Sequence, residues 1–215
     1  MLGVIVAVLV FRTVDPPGSM VMASRQAAGQ RVEQRWIPLQ RVSPALVRAV
    51  IISEDNQFCR HWGIDVRELT AAIERSERIG EDGLRGASTI SMQVAKNLFL
   101  WSDRSYLRKV LEVPMTLLIE LAWSKRRIME VYLNIAEMGP GVFGAEAAAR
   151  HHFSKSASAL SEREATLIAV SLPNPALRVA SRPSSHLLRV AGIIERRAKS
   201  IGARADCVLK PPAAG

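Results

Sequence analysis

The sequence predicts a mainly α-helical fold. Apolar residues recur at helical spacing in most segments of the 215-residue chain, and no segment shows sustained alternation of apolar and polar residues. No internal repeat is present. Hydrophobic residues make up 48% of the chain, which is enough to fold around a substantial core.

The charge of the chain favours an anionic partner. The formal net charge is +9 and the pI about 10.4, as expected for a protein that meets a phosphate, an acidic lipid surface or nucleic acid. Nucleic acid is the weakest of these, because aromatic residues make up only 5% and the basic residues are spread along the chain.

The two cysteines, Cys59 and Cys207, do not form a CxxC pair, and no histidines cluster around them. A metal site is therefore not expected. One disulfide is formally possible, but the expectation is two unpaired cysteines of minor structural importance.

The N-terminal run from Leu2 to Phe11 is entirely apolar, yet shorter than the roughly 17–25 residues that span a bilayer. It fits the core of a signal peptide, a buried core segment, a shortened membrane anchor or a shallow interfacial anchor. We favour the shortened anchor, over residues 1–12. Proline and glycine near residues 16–18 then break the helix, so residues 13–34 are expected to form a linker close to the membrane.

Two adjacent carboxylates, Glu54 and Asp55, follow an apolar helix that begins after residue 43. They fit either a solvated helix end or a cleft in which Glu54 acts as a general base. Apolar neighbours such as Ile52 and Phe58 would raise the pKa of Glu54 toward the working range of a base. His61 is expected to be a hydrogen-bonded structural residue.

A polar helical segment occupies residues 86–97. Ser88 is the expected N-cap, and Thr89, Gln93 and Lys96 follow at positions that share one helix face. That face meets either solvent or a cleft. The glycine-containing loop before it, residues 80–86, is expected to be a mobile lid.

Further helices are predicted along the rest of the chain. One begins near Tyr106 and contains Arg108 and Glu112, an i,i+4 pair that alone would suggest a surface salt bridge. The others cover residues 125–134, 144–152 and 165–171, and a basic stretch that ends near residue 201. A capping box precedes the helix at 165–171. Residues 204–215 are expected to form a disordered tail.

Five sequence blocks, in order, make the chain resemble the peptidoglycan glycosyltransferases of family 51, most closely the monofunctional members. The blocks are Glu54-Asp55-Asn56-Gln57-Phe58 with His61 and Gly63; Gly86 to Asn97; Arg108-Lys109 with Glu112; Lys125 to Gly139; and Ala147 to Lys155. Glu164-Ala165 and Leu172-Pro173-Asn174-Pro175 also look like the family. Each block alone is weak evidence for the family, but five blocks in the family's order are specific evidence for it.

The resemblance implies a lysozyme-like glycosyltransferase domain, residues 35–203, with a membrane-associated jaw. It implies that a lipid-linked glycan strand is the donor and lipid II the acceptor. The GlcNAc 4-hydroxyl attacks the donor's anomeric carbon, undecaprenyl pyrophosphate leaves, and the β-1,4 linkage forms with inversion.

The same resemblance implies roles for individual residues. Glu54 would be the catalytic base, and Glu112 the second catalytic acid residue, orienting cations or a Mg²⁺ ion on the pyrophosphate. Residues implied to bind pyrophosphate or sugar are Ser88, Thr89, Gln93, Lys96, Asn97, Arg104, Arg108 and Lys109. The family commonly has paired glutamines where this chain has Met92-Gln93, which puts one hydrogen bond to substrate in doubt.

Two alternatives remain: a lysozyme-like glycosidase with Glu54 as general acid, and a catalytically inactive, membrane-tethered scaffold of the cell-wall machinery. The cations disfavour the first, since hydrolysis of a neutral glycosidic bond does not need them. The resemblance further implies a single-pass protein of the bacterial inner membrane, with its catalytic domain in the periplasm and other cell-wall synthesis proteins as partners. No transpeptidase Ser-x-x-Lys motif is present, and nucleic acid is not expected as a partner.

Overall fold

The computed structural model describes residues 2–79, 88–101 and 106–210. The predicted lid at residues 80–86 and the predicted site residue Arg104 both lie outside the described residues. The α-helices are α1 (Leu2–Phe11), α2 (Met20–Ala27), α3 (Pro44–Glu54), α4 (Val66–Ile79), α5 (Ile90–Phe99), α6 (Tyr106–Ala122), α7 (Lys125–Ile135), α8 (Ala145–Phe153), α9 (Glu162–Ser171), α10 (Ser185–Lys199) and α11 (Asp206–Leu209). Short 3-10 helices cover Leu39–Arg41, Ala157–Ala159 and Gly202–Ala205. The prediction of a mainly α fold is confirmed.

A small sheet joins distant parts of the chain. Strand β1 (Glu33–Gln34) pairs in parallel with β3 (Val142–Phe143), and β3 pairs antiparallel with β2 (Glu137–Gly139). These strands are too short to show alternation in the sequence, which is why pattern analysis did not predict them.

Helix α3 lies at the centre of the core. Its residues Leu46, Val47, Val50 and Ile51 are almost completely buried, because α9 and α10 cover its sides. A helix that is apolar on most sides is expected to be an interior helix. Its C-terminal end carries Glu54.

Helices α5, α6 and α7 form the second part of the core, with α5 packed against both of the others. Thr89, not Ser88, is the N-cap of α5, since the Thr89 hydroxyl accepts a hydrogen bond from the backbone N–H of Met92. The prediction of Ser88 as N-cap is therefore wrong by one residue. The capping box of Ser161 and Glu164 at the start of α9 is confirmed.

Helix α1 packs on α6 along one face. Val8 is completely buried, and its carbonyl accepts a hydrogen bond of 2.7 Å from the indole N–H of Trp123. The opposite face of α1 remains exposed. Among the described residues, we find no helix with the length and apolar character needed to cross a bilayer.

The segment predicted to be a linker is more structured than expected. Helix α2 packs against α5, its Met22 is buried, and Arg25 forms an ion pair of 3.0 Å with Glu137. The Ser19 hydroxyl caps α2 by accepting the N–H of Met22. Residues 20–34 are thus attached to the domain rather than separated from it.

The prediction of a disordered tail from residue 204 is wrong up to residue 210. Cys207 forms a disulfide with Cys59, and the Arg126 guanidinium donates to the carbonyl of Val208. The expectation of unpaired cysteines is also wrong. A bond across 148 positions leaves no local spacing signal in the sequence, so only the folded chain reveals it.

Candidate active site

The Glu54 carboxylate lies at the C-terminal end of α3, in a largely buried position. One carboxylate oxygen accepts a hydrogen bond of 2.9 Å from the Gln93 side-chain amide, and the Ser53 hydroxyl lies 3.4 Å from the other. Burial raises the pKa of Glu54 above its ordinary value, and the bond from Gln93 opposes part of that shift. Glu54 therefore holds a proton more readily than an exposed glutamate, as a general base requires.

The neighbouring carboxylate, Asp55, has a structural role. Its oxygens lie 2.8 and 3.0 Å from Nε2 of His61, and one accepts the backbone N–H of Ile90 at 3.0 Å. Asp55 thereby ties the end of α3 to the following loop and to the first residue of α5. The prediction that His61 is a hydrogen-bonded structural residue is confirmed.

Two cavities flank Glu54. The first, of about 230 Å³, contains Glu54 itself and is lined further by Gln57, Glu68, Ser88 and Thr89 among others. We call it the base cavity. The second, of about 340 Å³, is lined by Gln93, Lys96, Asn97, Arg108 and Tyr132, with parts of α2 and the segment 172–175; we call it the cation cavity.

Gln93 connects the two cavities. It lines the cation cavity while its amide N–H₂ donates to Glu54 in the base cavity. Its carbonyl oxygen accepts a hydrogen bond of 3.3 Å from the Tyr132 hydroxyl. Tyr132 is completely buried, and burial raises its pKa well above the ordinary value, so it stays a neutral donor. The sequence placed Tyr132 in a motif but gave no sign of this contact.

The cations of the second cavity are held close to one another. Burial lowers the pKa of Lys96, and the nearby Arg108 guanidinium lowers it further, while Glu54 acts in the opposite direction. In the empty cavity, burial and the neighbouring positive charge disfavour the charged form of Lys96. An anion bound in the cavity would relieve both effects, so the cavity is suited to binding one. Lys96, Asn97 and Arg108 are brought together here, as predicted, by α5 and α6.

Glu112 lies beneath these cations and not in either cavity. It is only 2% exposed, and its carboxylate pairs with Arg108 and, at 3.0 Å, with Lys109. The Lys109 ammonium also lies 3.4 Å from the Ser88 hydroxyl. Glu112 is therefore placed to orient Arg108 and Lys109. Ser88 lines the base cavity and contacts α6 through Lys109.

The predicted substrate contact of Thr89 looks different in the structure. Thr89 lines the base cavity, but its hydroxyl is engaged in capping α5 and in donating to the carbonyl of Gly63. Met92, at the position of the usual glutamine, is buried and lines neither cavity. Arg104 lies outside the described residues, so its position stays a prediction.

Glu112 does not fit the Mg²⁺ ligand that the family resemblance implied. Its carboxylate is already paired with two cations. In the described ranges, no group of three or more His, Cys, Asp or Glu side chains is arranged to hold a metal ion.

Sequence comparisons identify the family of the chain. Residues 20–201 match the profile of a family described as Transglycosylase. A biosynthetic peptidoglycan transglycosylase of Agrobacterium fabrum is 51% identical over 193 residues, covering 90% of this chain and 84% of the relative. Proteins of the same name from Rhodospirillum centenum and Pseudomonas syringae are each 52% identical, over 204 and 206 residues. The match to the Rhodospirillum centenum protein covers 94% of this chain and 87% of that relative. The match to the Pseudomonas syringae protein covers 93% of this chain and 86% of that relative. The chain belongs to the transglycosylase family.

Proposed function

We propose that this chain is a peptidoglycan glycosyltransferase of cell-wall synthesis that polymerises lipid II into linear glycan strands. The donor is a lipid-linked glycan strand and the acceptor is lipid II. The observation that carries the proposal is the placement of a partly buried carboxylate, Glu54, beside a cation cavity that is lined by Lys96 and Arg108.

The base cavity receives the acceptor. As the GlcNAc 4-hydroxyl attacks the anomeric carbon of the donor's terminal MurNAc, its proton passes to Glu54. The new bond forms on the face opposite the leaving group, so the configuration inverts to a β-1,4 linkage. The hydrogen bonds from Gln93 and Ser53 hold the carboxylate in place for this transfer.

The cation cavity receives the donor's pyrophosphate. The electron pair of the breaking C–O bond moves onto undecaprenyl pyrophosphate, and Lys96 and Arg108 stabilise the negative charge that develops. Glu112 holds Arg108 and Lys109 in place from below. Arg104 is expected to contribute to the same charge stabilisation.

We further propose that the enzyme works on the periplasmic side of the bacterial inner membrane. An exposed apolar face supports this, formed by Ile5, Val6, Leu9 and Val10 of α1 and by Val110, Val113, Leu117 and Leu121 of α6. Large contiguous apolar surfaces of this kind mark interaction with lipid or protein. The Cys59–Cys207 disulfide supports an oxidising compartment. The single-pass topology and the association with other cell-wall synthesis proteins stay predictions.

A lysozyme-like hydrolase is the second candidate for a site with one buried glutamate. The partly buried Lys96 beside Arg108 disfavours it, because cleavage of a neutral glycosidic bond develops no charge at that place. A scaffold without activity would not need Glu54, Lys96 and Arg108 to line adjoining cavities.

The test is polymerisation of purified lipid II by the full chain and by Glu54→Gln, with glycan strands resolved on a gel. We expect strands from the unmodified chain and a loss of about 10²–10⁴-fold in rate for the variant. Unimpaired activity of Glu54→Gln would remove the base role. Shortening of preformed glycan, without polymerisation, would support the hydrolase.

A further inference from the structure

A third cavity, of about 570 Å³, lies next to the base cavity on the side of α10. It is lined by Ile52, Asn56, Glu68, Arg197 and Arg204, and it shares the first three with the base cavity. The two spaces are therefore neighbours, and a molecule seated at Glu54 can extend into the third. Neither arginine lines the base cavity or the cation cavity.

Arg204 is firmly held at the rim of this cavity. One guanidinium nitrogen donates to the side-chain oxygen of Asn56 at 2.9 Å, and Nε donates to the carbonyl of Ile201 at 3.1 Å. Three residues further on, Cys207 is bonded to Cys59, in the loop that follows Glu54. A covalent bond thus keeps Arg204 at a fixed place relative to the base.

Arg197 is exposed on the last turn of α10. Within the part of the chain that the structure describes, its guanidinium has no hydrogen bond or ion pair. The cavity carries two guanidinium groups against one carboxylate, Glu68, so its net charge is positive. An arginine pair of this kind is suited to carboxylates, which it can bind through several hydrogen bonds.

The orientation of the acceptor lipid II in the base cavity decides which of its anionic groups reaches this third cavity. The MurNAc of lipid II carries a pyrophosphate-linked lipid at one position and a peptide stem at another. The lipid has to lead toward the apolar face on α1 and α6. Helix α10 packs on α3 and α9, on the other part of the core, whereas α6 packs on α5 and α1. The peptide stem is the group left to point toward α10.

We propose that Arg197 and Arg204 form a binding site for the carboxylates of the acceptor's peptide stem, with Glu68 facing its amino group. This rests on the proposed function, because it takes lipid II as the acceptor. The site would help to select acceptors that carry an intact peptide and would hold them in register with Glu54. It makes Arg197 and Arg204 specificity residues rather than catalytic ones.

The test compares Arg197→Glu and Arg204→Ala with the full unmodified chain, on two substrates. One is lipid II with free peptide carboxylates, and the other is lipid II with the same carboxylates converted to amides. Arg196→Glu is the matched control, since Arg196 is the exposed neighbour of Arg197 on α10 and does not line the cavity. Thermal unfolding of each variant reports whether it is folded.

We expect the KM of Arg197→Glu for lipid II to rise about five-fold, with little change in kcat. On the amidated substrate, Arg197→Glu and the unmodified chain should have equal KM. Arg196→Glu should match the unmodified chain on both substrates. An equal rise on both substrates would overturn the proposal in favour of pyrophosphate binding, and an unchanged KM would overturn it outright.

Binding of a soluble disaccharide-pentapeptide, without pyrophosphate or lipid, separates this proposal from the proposed function. Measured by NMR titration on the Glu54→Gln variant, it should weaken when Arg197→Glu is added. If the unmodified chain fails to polymerise lipid II, the proposed function fails, while this titration still tests the arginine site. Equal binding with and without Arg197→Glu would overturn the site.

Discussion

The side chain of Gln93 donates a 2.9 Å hydrogen bond to Glu54 and accepts one of 3.3 Å from Tyr132. This arrangement gives the amide a fixed orientation, because the buried tyrosine hydroxyl can only be satisfied as a donor when the amide oxygen faces it. The amide nitrogen then points at the carboxylate. A neutral residue of the core thereby sets the electrostatics of the proposed base.

Replacing Gln93 by alanine should change the pH dependence of the reaction. The amide hydrogen bond lowers the pKa of Glu54, so its loss raises that pKa further. A base works when deprotonated, and the acidic limb of kcat/KM should therefore move to higher pH. The measurement is a pH profile of lipid II polymerisation. Tyr132→Phe, which leaves the amide in place, should shift the limb less, and an unmoved limb in Gln93→Ala would contradict the assignment.

Glu54→Gln should stabilise the fold at neutral pH although it removes activity. Burial raises the pKa of Glu54 in the folded state, so ionisation at neutral pH costs folding free energy that an uncharged isostere avoids. The cost begins to shrink as pH falls below the raised folded-state pKa, and it is gone below the unfolded-state pKa, where both states are protonated. The difference in Tm between Glu54→Gln and the unmodified chain should be positive at pH 7 and shrink toward pH 4. A negative difference at pH 7 would contradict the burial argument.

Glu112→Gln should lower polymerisation by about 10²-fold, the loss typical of one misplaced charge-stabilising group. The variant removes the negative partner of Arg108 and Lys109, so both cations lose their fixed orientation below the cation cavity. Glu195→Gln is the control, because it breaks another i,i+4 pair, with Lys199, away from both cavities. Initial rates of strand formation check the prediction, and similar rates in the two variants would refute it.

Loss of the disulfide should destabilise the protein by about 2–5 kcal/mol. The bond joins Cys59 to Cys207 across 148 positions, and its removal releases a large loop in the unfolded chain. Chemical denaturation of a Cys59→Ser/Cys207→Ser variant measures the difference. The unmodified chain in a strong thiol reductant should approach the stability of the variant. A variant as stable as the oxidised protein would show that the bond contributes nothing.

Leu121→Glu should weaken attachment to lipid. Leu121 is 77% exposed within the apolar face, where burial in a bilayer would favour a leucine and penalise a carboxylate. The matched control is Leu177→Glu, since Leu177 is 81% exposed but lies outside that face. Co-sedimentation with phospholipid vesicles is the measurement. Equal retention of both variants would locate the lipid contact elsewhere.

Part of the site followed from local sequence. Spacing put Gln93 and Lys96 on one helix face and Glu54 after an apolar helix, but it left open whether these side chains meet solvent or a cleft. The resemblance to the family, and not the local pattern, implied the cleft. The Tyr132 contact, the ion pair of Arg25 with Glu137, and the disulfide did not follow, since each joins residues that are far apart in the chain. Such contacts depend on how helices pack, and periodicity carries no information about that.

The capping residue of a helix was also harder to predict from the sequence than the presence of the helix itself. Ser88 and Thr89 are both good capping residues, and only the observed contact of the Thr89 hydroxyl with the N–H of Met92 decides between them. The C-terminal segment was expected to be disordered because it lies at a chain terminus. A covalent bond to Cys59 holds it regardless of composition.

Helix α2 has a consequence for how a shortened protein would behave. Val21 and Arg25 form part of the wall of the cation cavity, and Arg25 also pairs with Glu137, the first residue of β2. A fragment starting at residue 35 would lose this wall together with strand β1. Weak activity in such a fragment would therefore reflect an opened pyrophosphate site as well as any loss of membrane contact. The smallest piece able to report on the chemistry alone has to begin before Ser19, the cap of α2.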